Sequence, residues 1–363
     1  MLKWFRGVWN VFWHNYRHGI MKYFFAPLEG ITGYIYRQAH HAFYPGIDRY
    51  YTPFIVPKEK KYLSTKERND VLPEHNQGVY VIPQIMTNKS AEFLRIAQRL
   101  YTEFGYTEVN LNLGCPSKTV VSKGRGSGFL FYPDQLKIFL EEVLNGLEPD
   151  HMKLSIKTRI GKNDPEEFSR LLEIFRQFPL SELIIHPRIQ KDFYKNKPDL
   201  EAFDLAYQTL EGSPYELCYN GDIFQYKDFG MITKRFPKIE SIMLGRGLLS
   251  NPMLVEEIKV RENGLCQNNK SKTAVLQRFL DENAEKAERK RRYKFYRQLA
   301  EQYMLVMSGE KDVLFKMKEI WMYMSQDFTN PQPYIKKMKK AQYLKDFDAA
   351  AAALCNEQRL LNV

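Results

Sequence analysis

The sequence predicts an α/β protein, a (β/α)8 barrel of the TIM type followed by a small C-terminal all-α helical bundle. Short apolar runs recur about every 30 residues over roughly 240 residues, and helix-like segments separate most of them. Polar residues lie at the carboxyl ends of seven of the eight runs, where barrel enzymes build their sites. After Leu254 the strand pattern disappears and helical periodicity remains.

The predicted strands are rich in Val, Ile, Tyr and Phe, as expected for parallel strands buried on both faces. They are Tyr23–Ala26, Arg49–Phe54, Val79–Ile85, Glu108–Leu113, Lys153–Thr158, Glu182–His186, Glu216–Asn220 and Ser241–Leu244. Helical spacing of apolar residues marks the segments between several of these strands. The predicted helices are Ala91–Phe104, Pro133–Leu144, Pro165–Phe178 and Leu200–Leu210.

The polar residues that follow the strands are expected to converge, because the carboxyl ends of barrel strands meet at one rim. They are Pro27-Leu28-Glu29-Gly30, Pro83-Gln84, Asn112 with Cys115, Lys157 with Arg159, His186 with Arg188, Asn220-Gly221-Asp222 and Gly245-Arg246-Gly247. Randomly scattered polar residues would not fall at this one position in successive strands. The sequence therefore predicts a single polar site at the mouth of the barrel.

The composition is that of a globular protein with a full core: 44% of the 363 residues are hydrophobic and the mean hydropathy is −0.49. No run approaches the ~18 apolar residues that a membrane helix needs. The four cysteines (115, 218, 266 and 355) are far apart and form no C-x-x-C pair. This spacing argues against a disulfide framework or a structural zinc site and fits a reducing cytoplasm. We therefore expect a cytoplasmic protein without metal or membrane contact.

The chain is basic, with a net charge of +11 and a pI of about 9.2. A positive charge of this size can reflect surface lysines that keep the protein soluble or a surface that binds nucleic acid. The net charge alone does not distinguish these two explanations. Residues 1–20 are basic and aromatic but lack the apolar core and cleavage site of a secretory signal. We expect either that the natural chain begins at Met21 or that residues 1–20 form a loose appendage. The intact mass of the native protein distinguishes these two possibilities.

We place the barrel at residues 21–262, a linker at 263–272 and the helical domain at 273–363. The domain's predicted helices are Thr273–Met307, Lys311–Gln326, Pro333–Tyr343 and Asp348–Leu360. Cations cluster in Arg289–Arg292 and again in Lys336–Lys340, with aromatic residues interleaved. These clusters fit a solvated charged face over an aromatic core, or a surface that binds phosphates.

A cysteine lies on a stiff turn in the stretch from Glu108 to Leu130. Its alternating apolar residues predict a strand, and Gly114-Cys115-Pro116 ends that strand because proline cannot continue the hydrogen-bond ladder. The loop that follows contains glycines at 114, 124, 126 and 128 and the cations Lys118, Lys123 and Arg125. A free cysteine is most often a buried structural residue. Here the polar, basic and glycine-rich surroundings favour a chemical role, and glycine lets a backbone approach a ligand.

This stretch, Asn-Leu-Gly-Cys-Pro-Ser-Lys with its basic glycine-rich loop, resembles the tRNA-dihydrouridine synthases, flavoenzymes that reduce a uracil in tRNA. The resemblance covers roughly Lys22 to Leu254 and, more loosely, the helical tail. It implies an FMN-bound barrel, a tRNA-binding tail and Cys115 as the proton donor. The FMN contacts that it implies are Pro27, Leu28, Glu29, Gln84, Lys157, His186, Asn220, Gly221, Asp222, Gly245 and Arg246.

The side chains themselves suit such a cofactor. Glycine N–H groups and the fork-shaped guanidinium of Arg246 match a terminal phosphate. Lys157 could hold negative charge on a reduced flavin ring, and Gln84 offers a donor and an acceptor to its amide edge. His186 could donate to the flavin or its ribityl chain. Each residue also has a structural interpretation, which for His186 is a satisfied rim histidine.

The reaction implied by the resemblance uses NADPH (or NADH) to reduce FMN, which gives a hydride to C6 of a uracil extruded from the RNA. The thiol of Cys115 protonates C5, a role that needs a protonated thiol. Asn112 and Arg159 are candidates for positioning the base, and Lys118 and Arg125 for holding the RNA backbone. The expected partners are tRNA and NAD(P)H, and we expect a monomer.

Two features depart from the family pattern. Thr32-Gly33 replaces a frequent Thr-Asp, so any contact by that aspartate is absent, and His186-Pro187-Arg188 replaces a frequent His-Gly-Arg, which stiffens that loop. The Pro-Ser-Lys-Thr-Val after the cysteine and the Pro-Leu-Glu-Gly loop resemble the bacterial branch that modifies position 16 of the D-loop.

Two other functions remain open at this point. An FMN barrel that acts on a small molecule, such as a dihydroorotate dehydrogenase or an enoate reductase, explains the rim but not the basic helical tail. Turnover of a free pyrimidine without RNA would favour it. A tRNA-binding protein that has lost catalysis explains the tail, but Cys115 and Lys157 argue against it. A colourless purified protein would favour that second alternative.

Overall fold

The computed structural model of the protein describes residues 21–58, 62–147, 152–266 and 281–361. The expectation for residues 1–20 lies outside the described residues, as does most of the predicted linker at 263–272. Residues 263–266, which we assigned to that linker, are the last turn of the helix Leu254–Cys266. None of the helices in these four ranges combines the length and the apolar character that crossing a membrane requires.

Short parallel strands form the wall of a closed barrel, which confirms the predicted fold class. They are β1 (Lys22–Phe25), β2 (Arg49–Tyr51), β3 (Val81–Ile82), β4 (Gln84–Ile85), β5 (Glu108–Leu113), β6 (Lys153–Gly161), β7 (Glu182–Ile189), β8 (Glu216–Tyr219) and β9 (Ser241–Leu244). The sheet order is β3-β2-β1-β9-β8-β7-β6-β5-β4. Only Pro83 separates β3, which pairs with β2, from β4, which pairs with β5, so these two short strands close the ring.

Pro83 divides one predicted strand into two because it has no N–H to donate to the ladder. Its carbonyl still accepts from the N–H of Asn110 at 2.9 Å, and the N–H of Gln84 donates to the hydroxyl of Thr52 at 3.0 Å. A side chain therefore replaces a backbone group at the seam. β6 and β7 extend beyond their predicted ends, so that Arg159 and Arg188 lie within strands rather than in loops.

The barrel helices surround the strands. They are α1 (Tyr34–Phe43), α2 (Thr65–Val71), α3 (Ser90–Phe104), α4 (Lys118–Val121), α5 (Pro133–Gly146), α6 (Glu167–Phe175), α7 (Leu200–Thr209), α8 (Tyr226–Arg235), α9 (Arg246–Ser250) and α10 (Leu254–Cys266). Four of these, α3, α5, α6 and α7, were predicted, and the other six were not.

The interior of the barrel is filled by side chains and is not an open channel. A small apolar cluster lies among the strands, as expected for a barrel with a packed interior. It consists of Phe24, Ala26, Tyr51, Ile82, Ile184, Cys218 and Met243. Side chains from β1, β2, β3, β7, β8 and β9 therefore meet inside the barrel.

Within residues 281–361, four helices form the C-terminal bundle: α11 (Glu282–Val306), α12 (Glu310–Met324), α13 (Gln332–Lys340) and α14 (Leu344–Glu357). The helical bundle predicted for this part of the chain is thereby confirmed. Phe295 of α11 attaches the bundle to α1 of the barrel. Its ring lies 5.6 Å from that of Tyr36, 5.7 Å from that of Phe43 and 5.5 Å from that of Tyr44, measured between centroids.

The arginine run of α11, Arg289–Arg292, is largely internal. Arg292 is 0% exposed, and its Nη1 lies 2.8 Å from Oδ2 of Asp327. Its Nε lies 3.1 Å from Oε1 of Glu288, and its Nη2 donates to Oδ1 of Asn251, on the barrel side, at 2.9 Å. This guanidinium therefore joins the bundle to the barrel.

The other two arginines of the run also have internal partners. Arg291 forms an ion pair with Glu256 at 2.6 Å, and Arg289 donates to the carbonyl of Cys355 at 2.7 Å. Only Lys290 of the four is exposed. The interpretation of this run as a phosphate-binding surface is therefore wrong for the three arginines, which fasten the helices together.

Helix α12 lies against the mouth of the barrel. Lys316 donates to the carbonyl of Gly30, in the loop that follows β1, and α12 also contacts α9. Burial and the neighbouring hydroxyl of Tyr194, on the rim after β7, raise the pKa of Tyr323 on the same helix. One side of the mouth is thus bounded by the bundle.

Candidate active site

A cavity opens at the carboxyl ends of the strands and has a volume of about 450 Å3 including its open mouth. Its walls combine small apolar groups with cations and backbone amides. It is lined by Ala26, Pro27, Leu28, Lys157, His186, Tyr194, Asn220, Gly221, Asp222, Phe224, Gly245, Arg246 and Gly247.

Nine of the eleven residues predicted to contact the cofactor line this one cavity: Pro27, Leu28, Lys157, His186, Asn220, Gly221, Asp222, Gly245 and Arg246. The other two have partners elsewhere. Glu29 is exposed and forms an ion pair with Lys66 at 2.6 Å. Gln84 is fully buried and hydrogen-bonds to Asn110 and Asn112.

Lys157 brings an uncompensated cation into the cavity. It lies on β6, beside Asn112 of β5 and Ile184 of β7 in the ladder. No carboxylate of the four described ranges lies within 4 Å of its ammonium. Burial, followed by the neighbouring cation Arg159, lowers the pKa of Lys157 to about 8. At neutral pH it remains mainly protonated and can bind negative charge.

His186, Arg188, Asp222 and Arg246 form a hydrogen-bonded network at this rim. Arg188 reaches both carboxylate oxygens of Asp222, one of them at 3.0 Å, and Nη2 of Arg246 lies 2.5 Å from Oδ1 of the same carboxylate. Nη1 of Arg188 lies 2.9 Å from Nε2 of His186. Asp222 therefore aligns two guanidinium groups, and one of them fixes the histidine ring.

Tyr194 is a cavity residue that the sequence analysis missed. It lies in the loop after β7 and is 50% exposed. The guanidinium carbons of Arg246 and Arg159 lie 4.4 and 5.5 Å from the centroid of its ring. The centroid of the His186 ring lies 6.0 Å from the same point. Cations at these distances stabilise an aromatic ring. No periodicity or motif distinguishes this tyrosine in the sequence, because its position depends on how the loop folds back.

Cys115 lies at the same rim, in a turn held by polar side chains. Oδ1 of Asn112 accepts hydrogen bonds from the N–H of Gly114 at 3.0 Å and of Cys115 at 2.9 Å. The hydroxyl of Ser127 donates to the Cys115 carbonyl at 2.8 Å, and Gln190 donates to that of Pro116 at 3.1 Å. The side chain of Cys115 is partly exposed. Burial raises the pKa of its thiol, which keeps it protonated at neutral pH.

The amide of Asn112 belongs to a directional chain of hydrogen bonds. Its Nδ2 donates to Oε1 of Gln84 at 2.6 Å, and Nε2 of Gln84 donates to Oδ1 of Asn110 at 2.7 Å. Nδ2 of Asn110 donates to Oγ of Ser155 at 3.0 Å. The turn that carries Cys115 is therefore connected to the buried interior of the barrel.

The glycines of the Cys115 loop allow the loop to pack against itself. Gly126 has a φ of +54°, and a Cβ built there would lie 2.8 Å from the carbonyl oxygen and 3.0 Å from the Cβ of Cys115. A Cβ on Gly128 would lie 2.7 Å from the carbonyl oxygen of Val121. The sequence alone suggests that these glycines allow close approach to a ligand. The close approach that the structure shows is between the loop and the turn of Cys115.

The predicted substrate residues occupy three different environments. Arg159 is fully buried and donates to the carbonyls of Gly114, Ile189 and Phe193 at 3.0, 2.9 and 2.7 Å. It therefore joins the loop of Cys115 to the loop after β7. Lys118 is exposed, whereas Arg125 is partly buried.

Nothing in the described ranges resembles a metal centre: no group of three or more His, Cys, Asp or Glu side chains is arranged to hold an ion. The rim carries a thiol, a lysine, a histidine and three arginines. Such a set can bind an anion, donate hydrogen bonds and deliver a proton.

Comparison with known proteins gives one consistent result. A family model described as dihydrouridine synthase (Dus) matches residues 24–345. A probable tRNA-dihydrouridine synthase of Staphylococcus epidermidis is 28% identical over 239 residues, which is 64% of this chain and 70% of that protein. The tRNA-dihydrouridine synthase B of Pasteurella multocida is 25% identical over 232 residues, 64% of this chain and 67% of that protein.

Among solved structures, morphinone reductase is similar at a TM-score of 0.44 and 14% identity, over 66% of this chain and 85% of that one. The family model extends from β1 into α14 and so covers the barrel and most of the bundle. It confirms the resemblance carried by the loop of Cys115. The chain belongs to the dihydrouridine synthase family of oxidoreductases.

Proposed function

We propose that the protein is a tRNA-dihydrouridine synthase that uses FMN and NAD(P)H to reduce the C5=C6 bond of a D-loop uridine. Membership of the family and the names of the relatives support this activity. The observation that carries it is a protonated, partly exposed thiol on a fixed turn, at the same rim as a cationic cavity.

The residues of the cavity fit FMN. Arg246 and the backbone at Gly221 and Gly245 suit a terminal phosphate, because a guanidinium and glycine N–H groups bind phosphate oxygens well. The apolar side chains of Leu28 and Phe224 offer surface to the less polar part of the molecule. Lys157 provides a cation for a ring that gains negative charge on reduction. When bound, FMN supplies the hydride for C6 of the uracil.

Cys115 supplies the proton for C5. The S–H bond breaks as the C5–H bond forms, and the resulting thiolate recovers a proton from water. The raised pKa of the thiol supports this role, because the group must carry its proton at neutral pH. Asn112 accepts the N–H of Cys115 and so keeps the sulfur at one place on the rim.

A uridine of a folded tRNA must leave its stack to enter the cavity. The half-exposed ring of Tyr194 offers a surface on which an extruded base can stack. Position 16 of the D-loop is the proposed target, because the Pro-Leu-Glu-Gly loop and the segment after Cys115 resemble that branch of the family.

The tRNA backbone is proposed to bind helix α13 through a surface that we call the α13 lysine surface, made of Lys336, Lys337, Lys339 and Lys340. All four side chains are exposed, and no carboxylate of the described ranges lies within 4 Å of their ammonium groups. Tyr343, just beyond them, is 56% exposed. Unpaired cations next to an exposed aromatic ring are typical of RNA-binding surfaces.

Replacing Cys115 tests the proposed chemistry. We expect Cys115→Ala to retain the flavin absorbance of the native protein and to lose dihydrouridine formation, because the hydride acceptor C6 is reached but C5 receives no proton. Dihydrouridine is measured in tRNA from cells that lack the native protein and carry the variant. Cys355→Ala, which removes a buried thiol of the bundle, is the control and should stay active.

Full activity of Cys115→Ala would contradict the proton-donor role. Equal turnover of a free pyrimidine without RNA would contradict the tRNA substrate and favour a small-molecule oxidoreductase.

Charge reversal tests the RNA-binding surface. We expect the double variant Lys336→Glu with Lys337→Glu to bind tRNA more weakly. The magnitude of the slope of log affinity against log salt concentration should fall by on the order of one for each phosphate contact that is lost. Binding is measured by fluorescence anisotropy over a range of salt concentrations. The matched control is Lys153→Glu with Lys234→Glu, which changes the net charge equally at exposed positions on the barrel. Identical slopes for the two double variants would exclude this surface.

A further inference from the structure

Arg188 and His186 lie two residues apart on β7 and therefore point to the same side of the strand. Both are buried, with exposed fractions of 1% and 7%. Nη1 of Arg188 lies 2.9 Å from Nε2 of His186, a normal hydrogen-bond distance. A guanidinium has five N–H donors and no acceptor, so only the histidine nitrogen can accept in this contact.

The guanidinium cannot turn away from the histidine, because its other donors are engaged. Nη1 and Nη2 both reach the carboxylate of Asp222, and Nε donates to the carbonyl of Asn196 at 2.6 Å. A bidentate arginine–carboxylate pair fixes the plane of the guanidinium as well as its position. Arg188 therefore holds one N–H directed at the imidazole.

We propose that Arg188 is a positioning residue that fixes His186 as a neutral imidazole with its hydrogen on Nδ1. Nε2 must carry a lone pair to accept from Arg188, and the alternative tautomer would set two N–H groups against each other at 2.9 Å. Since His186 lines the cavity, the ring presents a hydrogen-bond donor, Nδ1–H, to an oxygen acceptor of a bound ligand. The inference rests on the proposed function only in assigning that ligand to FMN.

The charges around His186 also oppose a second proton. The cations that act on the ring are Arg159 and Lys157 from β6, Arg188 from β7 and Arg246 from the start of α9. The carboxylate of Asp222 is shared between Arg188 and Arg246. Burial, and after it these cations, hold the pKa of His186 well below its usual range. The ring therefore keeps the same donor and acceptor through neutral and mildly acidic pH.

The direct test is the tautomer in the native protein. Protein labelled with 15N in its histidines is examined by long-range 1H–15N correlation, and a His186→Asn variant identifies the signals of His186. We expect a protonated Nδ1 and an unprotonated Nε2, without change between pH 6 and pH 8. A protonated Nε2, or titration of the ring in this interval, would overturn the proposal without any variant of Arg188.

Variants of Arg188 test the cause. Arg188→Met removes the donor, so the 15N chemical shift of Nε2 should move toward that of a protonated ring nitrogen. The affinity of the apoprotein for FMN should fall about tenfold, as expected when one hydrogen bond is removed. Arg188→Lys keeps a cationic donor and should restore the native tautomer. Arg176→Met is the control, because Arg176 is exposed at the end of α6 and pairs with Glu173. An unchanged tautomer in a folded Arg188→Met variant would contradict the role.

This test is independent of the proposed activity, because the tautomer is measured without tRNA. A native protein with the expected tautomer that forms no dihydrouridine would contradict the function alone. An active enzyme in which Nε2 carries the hydrogen would contradict the role of Arg188 alone.

Discussion

Lys157 lies beside a second cation, Arg159, in a partly dehydrated cavity, and both circumstances favour loss of its proton. Its pKa of about 8 means that the positive charge is present below pH 8 and is lost as the pH rises through that value. A reaction that develops negative charge next to this ammonium becomes slower once the ammonium is neutral.

We therefore expect the rate of flavin reduction by NADPH, measured without tRNA by stopped-flow absorbance, to decline as the pH rises above about 8. Lys157→Arg should move this decline to higher pH, since a guanidinium keeps its charge above pH 12. Lys157→Met should be slow at every pH. A native profile that stays level well above pH 8 would show that the charge of Lys157 does not assist the step.

At the scale of residues, the sequence predicted which side chains meet but not what each one contacts. Polar residues at strand ends predicted a common site, and nine of the eleven cofactor candidates line one cavity. Arg159 could not be distinguished from a substrate-binding arginine, because its three carbonyl partners come from loops that are distant in sequence. Tyr194 was missed for the same reason.

The loop that carries Cys115 is packed closely against its own turn. Gly126 has a positive φ and approaches the carbonyl oxygen and Cβ of Cys115 more closely than a side chain allows. Any residue with a Cβ at this position must displace the turn that holds the thiol.

We expect Gly126→Ala to retain flavin and to lose most dihydrouridine formation, because the collision with Cys115 moves the sulfur. Gly105→Ala is the matched control: Gly105 also has a positive φ, +75°, but a Cβ there would meet nothing within 4 Å. Backbone strain should cost each variant about 1 kcal/mol of unfolding free energy, and the collision with Cys115 should add to that loss in Gly126→Ala. Equal activity of the two variants would show that the collision is harmless.

At the scale of elements, the type of each strand and of most helices could be predicted, whereas their ends could not. β5 and β9 have the predicted bounds, but β6 and β7 continue for three residues beyond theirs. Their extra residues include Arg159 and Arg188, charged side chains that sequence patterns assign to loops and that tertiary hydrogen bonds keep in a strand.

Across the whole molecule, the barrel and the bundle share buried polar groups as well as apolar surface. Arg292 is fully buried between Glu288, Asp327 and Asn251. Removing one member of such a cluster leaves charges buried without a partner.

We expect Arg292→Met to lower the free energy of unfolding by about 3–5 kcal/mol, as found for broken buried ion pairs. Arg297→Ala is the control on the same helix: its side chain is 50% exposed, and the loss should be at most about 1 kcal/mol. Urea unfolding, followed by circular dichroism, measures both. Similar losses for the two variants would show that Arg292 does not stabilise the interface.

The role of this arginine run could not be predicted, because its charges are compensated only when the bundle meets the barrel. In the sequence, the run Arg289–Arg292 and the lysines of α13 look alike. Burial separates them: the three arginines have internal partners, whereas the four lysines remain exposed.

The amide chain that ends at Cys115 has a polarity. From the N–H of Cys115 through Asn112, Gln84 and Asn110 to Ser155, every group donates inward, toward the centre of the barrel. Turning one of these amides over would set oxygen against oxygen at one end and hydrogen against hydrogen at the other. The backbone N–H groups of Gly114 and Cys115 can only donate, so they fix the direction of all three amides, whose dipoles are aligned head to tail below the turn that carries the thiol.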